Sequence, residues 1–219
     1  MSKHISELAF WVNYFANPSS QSDNGMYKQI MLSILGSPDA SVLDSKIVAD
    51  FGCGPLGCLS WATNASMRIG IDVLAATYLT HFGDQMKAHS MVYVTSTEKI
   101  VPLPDNSVDV LFTINSLDHV EHLEIMAAEL LRVIKPGGIF AGSFNLHEPA
   151  CLTEPQTLDL PLLRKLFFRH LNMKICTFGL KGEMRNGKAY TYENMLSGKF
   201  IPAPGPDQPC ILWASGIKS

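Results

Sequence analysis

Apolar positions along this chain change their period several times, and each change marks an element. Over residues 4–16, Ile5, Leu8, Ala9, Val12 and Phe15 recur at helical spacing with Trp11 and Tyr14 on the flank, which predicts an amphipathic helix. A second helical stretch covers residues 26–35 and stops at Gly36-Ser37-Pro38. From residue 46 onward short apolar runs alternate with helical segments. Strands are predicted at 46–51, 67–71, 91–94 and 108–114, and helices at 56–64, 73–87 and 121–134. The run at 108–114 is apolar at nearly every position, as a strand covered on both faces must be. Pro136-Gly137-Gly138 ends the helix before it and turns the chain into a strand at 139–145. This alternation predicts an α/β fold, a parallel sheet with helices on both faces.

Beyond residue 146 the pattern loosens. Residues 147–156 hold two prolines, which preclude a long helix and predict a loop. Asp159 then caps a helix with Pro161 in its first turn, predicted to run to about residue 171. Apolar runs at 173–179 and 210–217 bring the strand count to seven, and Asn186-Gly187 between them is a turn dipeptide.

A chain of 219 residues fits one domain. Its apolar fraction of 47% fills a core, yet no uncharged apolar run reaches the ~18 residues that cross a bilayer. The start, Met-Ser-Lys-His-Ile-Ser, lacks the apolar core and cleavage site of a secretory leader, so a cytoplasmic protein is expected. Cys53, Cys58, Cys151, Cys176 and Cys210 are odd in number and show no C-x-x-C spacing, so neither a disulfide framework nor a metal site is expected.

The candidate chemistry lies where the first two strands end. Residues 48–57 read Val-Ala-Asp-Phe-Gly-Cys-Gly-Pro-Leu-Gly, and Asp72 follows Gly52 by twenty residues. Glycines in the turn after a strand let backbone approach a ligand and reach positive φ, while a carboxylate ending the next strand can grip two ribose hydroxyls. Together they imply an adenosine cofactor. Later landmarks follow in order: Leu103-Pro104-Asp105-Asn106-Ser107, then Asn115-Ser116-Leu117-Asp118-His119-Val120, then Lys135-Pro136-Gly137-Gly138.

With these motifs in this order, residues 46–147 resemble the class I S-adenosylmethionine (SAM) dependent methyltransferases, in the branch of small enzymes that includes the ubiquinone/menaquinone type. The resemblance implies a Rossmann-like, mostly parallel seven-stranded sheet with an antiparallel last strand. It implies a single domain with an N-terminal helical lid over 1–45, a SAM-binding core over 46–147 and a substrate side over 148–219. Asp50 and the turn Gly52, Cys53, Gly54 and Pro55 would face the methionine end of SAM. Asp72, with Val73 beside it, would take the ribose, and Thr97 and Glu98 the adenine side. Asn115 and Ser116 would approach the sulfonium, with His119 as a base toward the acceptor. Trp11, Tyr14 and Tyr27 are lid residues on the substrate side, and His147 ends the fifth strand there. The sequence departs from the family pattern at Leu56, where a third glycine is expected, and at Ser96-Thr97-Glu98, where an acidic residue usually comes first.

Charge adds a preference about the acceptor. Residues 1–163 carry 8 Lys/Arg against 17 Asp/Glu, whereas residues 164–188 carry 7 against 1. Lys181 and Arg185 in that basic stretch would suit an anionic small molecule, although a solvated face explains the same pattern. The acidic chain has no nucleic-acid module, so none is expected as partner. Three functions follow from these features: methyl transfer from SAM, with S-adenosylhomocysteine (SAH) as product, to a small-molecule acceptor; a non-catalytic SAM-binding regulatory or partner subunit; and a nicotinamide-dependent oxidoreductase, since Gly52, Gly54 and Gly57 formally satisfy G-x-G-x-x-G.

Overall fold

The computed structural model describes residues 2–16, 25–185, 188–189 and 191–219, with the side chains at 184–185 and 188–189 excepted. The Asn186-Gly187 turn and the Arg185 side chain therefore lie outside what is described.

The most apolar strand takes the centre. β1 (Ile47–Phe51), β2 (Met67–Asp72), β3 (Val92–Thr95), β4 (Val108–Ile114) and β5 (Ile134–Leu146) lie parallel, and β4 pairs with β1 on one side and β5 on the other. After β6 (Leu171–Gly179), the last strand of this sheet, Cys210–Lys218, inserts antiparallel between β5 and β6. A two-stranded hairpin, β7 (Met184–Arg185) and β8 (Lys188–Ala189), precedes it, which makes it β9. The sheet order is β3-β2-β1-β4-β5-β9-β6, so the seven strands and the antiparallel last one are as expected.

The helices are α1 (Lys3–Ala16), α2 (Gly25–Leu35), α3 (Ala75–Ala88), α4 (Leu123–Val133), α5 (Leu160–Leu166) and α6 (Glu193–Leu196). On one face α4 and α5 bury Met126, Leu130, Leu163 and Phe167 against Leu111, Phe140 and Phe144, with the Phe140 and Phe167 rings stacked 4.7 Å apart. On the other, Ile30, Met31 and Ile34 of α2 cover Val48, Val110 and Ala141, with Met195 of α6 and Trp213 of β9 in the same cluster. A third, smaller cluster joins α1 to α3 through Phe15, Phe82 and Tyr78. Asp159 caps α5 as predicted, its carboxylate accepting from the Leu162 N–H at 2.7 Å.

Three expectations are corrected. The helix predicted at 56–64 is a series of tight turns, with Ser60 donating to Gly57 and Ala62 to Leu59. Gly57 sits at φ +69° against the His89 ring, a left-handed residue that breaks an i to i−4 ladder there. The fifth strand begins at Ile134 rather than 139, with Pro136-Gly137-Gly138 forming an irregularity in its pairing with β4. The helix predicted from Asp159 to 171 stops at Leu166, and a 3-10 turn at Phe168–His170 leads directly into β6.

Candidate functional site

The parallel strands β1, β2 and β4 all end at one edge, and the turns that leave them are tied together. Ser116, just past β4, donates its hydroxyl to the Phe51 carbonyl at 2.8 Å and shares a second hydrogen bond with Thr113 at 2.7 Å. The Ser116 side chain lies so close to Gly52, at φ +72°, that a Cβ on Gly52 would overlap it. Ser116, expected at the cofactor, also holds the glycine turn to β4 through its hydroxyl.

Asp72 joins the second turn to the first. One carboxylate oxygen accepts from the Gly54 N–H at 3.0 Å and the other from the Leu74 N–H at 2.8 Å. Two lone-pair sites are thus used, and a carboxylate offers about four. Capping of the following turn and binding of a ligand hydroxyl are therefore compatible. Burial raises the Asp72 pKa against the pull of the Leu74 and Gly54 N–H groups. Asp50, only 2% exposed, is raised well above the usual range, first by burial and then by the charge of Asp72, and its Oδ1 has no hydrogen-bond partner.

The cleft edge is roofed by α1. Trp11 rests on Gly54, Lys3 donates to Glu98 at 2.9 Å and His4 meets the same oxygen at 3.2 Å. Glu7 lies 3.8 Å from His119 Nδ1. The residue expected to face adenine, Glu98, is thereby the anchor of α1, its second oxygen accepting from the Glu121 N–H at 3.2 Å. Thr97 is exposed and its hydroxyl accepts from Lys99 and Ile100 within its own loop. Tyr14 packs on the α1 aromatics Trp11 and Phe15, while Tyr27 of α2 lies on the opposite side of the site near Cys58, Tyr192 and Asp50. Cys53 and Pro55 are buried within the turn, and Val73 packs against the α1–α3 cluster.

On the far side of His119 the surroundings are acidic. Its Nε2 lies 4.0 Å from Asp118 and 3.8 Å from Glu154, neither at hydrogen-bond distance. The 147–156 loop delivers Glu154 because it is pinned beneath: Gln156 donates its N–H to the Asp118 carbonyl and its side-chain amide to the Val120 carbonyl. His147 sits at φ +61° at the head of that loop, its N–H bonded to the Leu158 carbonyl. Lys181, offered by its charge as an anion ligand, is paired with Glu148, and Lys165 of the same basic stretch is paired with Glu124 at 2.7 Å. The basic stretch spends these charges on the acidic body.

Sequence reasoning did not single out Asp118, Asn145, Glu154 or Tyr192. Asp118 stands next to His119 in the chain and was legible as part of the same motif. Asn145 lies at the end of β5 and is buried. Tyr192 and Glu154 come from irregular segments whose placement no local pattern announces.

Residues 49–142 match the family model described as a methyltransferase domain. The chain is 28% identical over 113 residues to sterol 24-C-methyltransferase of Pneumocystis carinii, which is 47% of this chain and 28% of that protein. It is 30% identical over 178 residues to an uncharacterized 37.1 kDa protein of a Streptomyces fradiae transposon, 78% of this chain and 48% of that one. The chain thus spans less than half the length of these two relatives. A SAM-dependent methyltransferase from Aquifex aeolicus shares the fold with a TM-score of 0.55 at 16% identity, covering 89% of this chain and 99% of that chain. Residues 49–142 are thus similar to a methyltransferase domain, and the glycine turn, the Asp72 strand end and the antiparallel seventh strand give the chain the fold of the SAM-dependent methyltransferases.

Proposed function

We propose that this chain transfers the methyl group of SAM to a small-molecule acceptor seated between His119, Asp118 and the 147–156 loop. What carries the proposal is the convergence of Asp50, Gly54, Asp72, Asn115 and His119 at the ends of three neighbouring strands. Asp50 Oδ1 and Asn115 Oδ1 there are buried and lack any hydrogen-bond partner. Buried acceptors without donors are costly unless a ligand supplies them, and SAM brings an ammonium and two ribose hydroxyls.

In this reading the spare lone pairs of Asp72 take the ribose, and the Gly52–Gly54 turn with Asp50 holds the methionine end. Bound SAM supplies a sulfonium methyl already activated for displacement. The chain's own task is then to align the acceptor and keep the cleft dry, which α1 does by lying over Gly54 and Glu98. His119 is the group placed to take a proton from an acceptor that must lose one. Sterol is the substrate named in three of the relatives, but the carboxylates of Asp118, Glu148 and Glu154 do not suit a largely apolar molecule.

The oxidoreductase alternative needs a helix N-terminus after the glycine turn to hold a pyrophosphate, and turns stand there instead. Titration calorimetry with SAM, SAH and NADH tests the cofactor: SAM and SAH bind and NADH does not. Binding of NADH alone would remove the proposal. Transfer of labelled methyl to acceptors separates the enzyme from a non-catalytic SAM-binding subunit.

A further inference from the structure

We infer that the acceptor carries a protonated amine, held in the cleft by the carboxylate of Asp118; this deepens the methyltransferase proposal above and rests on it. Asp118 is 3% exposed, yet beyond its own backbone N–H neither of its carboxylate oxygens has a hydrogen-bond partner. An unpaired carboxylate buried this way is expensive, and a cation with N–H donors is what relieves it. Asn145 at the end of β5 is 5% exposed, and its Oδ1 is likewise without a donor. Each of these orphan oxygens accepts hydrogen bonds, so the missing partner is a donor. An anionic or purely accepting ligand would leave all of them unsatisfied.

The surrounding charge has the same sense. Glu154 and Glu148 both repel the Asp118 charge, and Glu7 and Glu154 flank His119 at 3.8 Å. Among the described residues, the cations that face these four carboxylates are His119, when protonated, and Lys181, which is already paired with Glu148. Tyr192 is also within the field of Asp118. The cleft is therefore negative on balance. Burial first, and then Glu154 and Glu148, raise the Asp118 pKa, while His119 opposes them, so a bound ammonium would restore the ionised carboxylate.

The same geometry handles the proton. An ammonium nitrogen has no lone pair, so it must lose one proton before it can attack a methyl carbon. His119, with Nε2 4.0 Å from Asp118, lies beside any nitrogen held by that carboxylate and opens toward solvent. The proton passes to His119 and out to water, leaving a neutral amine with its lone pair free and still hydrogen-bonded to Asp118.

The test uses the whole chain saturated with SAH and ligand-observed NMR with three probes on one skeleton: benzylamine, benzoate and benzyl alcohol. Benzylamine is expected to bind about ten-fold or more tightly than either of the others, as a charge-assisted contact requires. Asp118→Asn, which keeps the shape, should abolish that preference while SAH binding stays unchanged, and Glu154→Gln should reduce it less. Equal binding of the three probes, preference for benzoate, absence of benzylamine binding to the SAH-loaded protein, or an undiminished amine preference in Asp118→Asn would overturn the inference and leave the SAM proposal standing. Failure of wild-type protein to bind SAH would instead remove the SAM proposal, and the amine inference with it.

Discussion

Trp11 lies on Gly54: a Cβ built on that glycine would sit 2.9 Å from the indole Cζ2, and the backbone there has φ +54°. One contact thus ties the N-terminal helix to the turn expected to hold the methionine end of SAM. Gly54→Ala meets two separate penalties, the collision with Trp11 and the left-handed backbone, the second worth about 1 to 2 kcal/mol. Adding Trp11→Ala removes the collision alone. The double variant is therefore expected to recover part of the stability lost in Gly54→Ala, by urea denaturation, and to stay about 1 kcal/mol short of Trp11→Ala. Additive losses would mean that the indole does not press on the turn.

Docking of α1 should depend on acid. Burial works to raise the Glu98 pKa, but hydrogen bonds from Lys3, the Glu121 N–H and His4 overcome it and hold the carboxyl below its ordinary 4.5. A depressed folded pKa gives stability that is complete above 4.5 and is lost as pH falls through the folded value. Hydrogen exchange of α1 amides should accelerate in that window ahead of the sheet, and Glu98→Gln should show fast exchange at neutral pH as well. Uniform protection of α1 and the sheet through the acid range would refute this coupling.

Much of the frame was legible because its signals are local. The glycine turn, the nearly continuous apolar run of β4 and the Asp159 cap each depend on residues within one element, and each stands as read. The helix expected at 56–64 failed because Leu56, Leu59 and Trp61 carry a helical pattern while the left-handed Gly57 against His89 decides the backbone. The basic stretch misled for a different reason. Charge counted along the chain says nothing of partners across it, and Glu124 and Glu148 arrive from elements 41 and 33 residues away. Asp118 was passed over beside His119 because burial without a hydrogen-bond partner beyond its own backbone N–H is a property only three dimensions reveal.

Ser116→Ala should loosen the glycine turn. It deletes the donor to the Phe51 carbonyl and the partner of the Thr113 hydroxyl, both buried, which predicts a loss of about 1 to 3 kcal/mol in denaturant unfolding. SAM affinity should fall with it, since Gly52 is positioned by that contact. Unchanged stability would show that the two freed groups find other partners.

Asp72 provides the sharpest test of the cofactor site. Its carboxylate already accepts from Gly54 and Leu74, so Asp72→Ala both removes a ribose ligand and releases two backbone donors. A loss of about 2 to 3 kcal/mol in SAM binding is expected from charge-assisted hydrogen bonds of this kind. The pH dependence follows from the raised pKa. In the SAM-free protein burial favours the protonated carboxyl, so Asp72 contributes most to folding stability below 3.8, and that contribution fades as pH rises through its folded value. SAM binding runs the other way, because ribose hydroxyls donate best to the ionised form. Affinity for SAM should thus weaken as pH falls while the pH is still above the ordinary carboxylate value of 3.8, and Asp72→Asn, already neutral, should bind weakly with that dependence removed. Calorimetric titrations of wild-type and Asp72→Asn protein at descending pH measure both. A wild-type affinity as flat with pH as that of Asp72→Asn would mean that the ribose is held elsewhere.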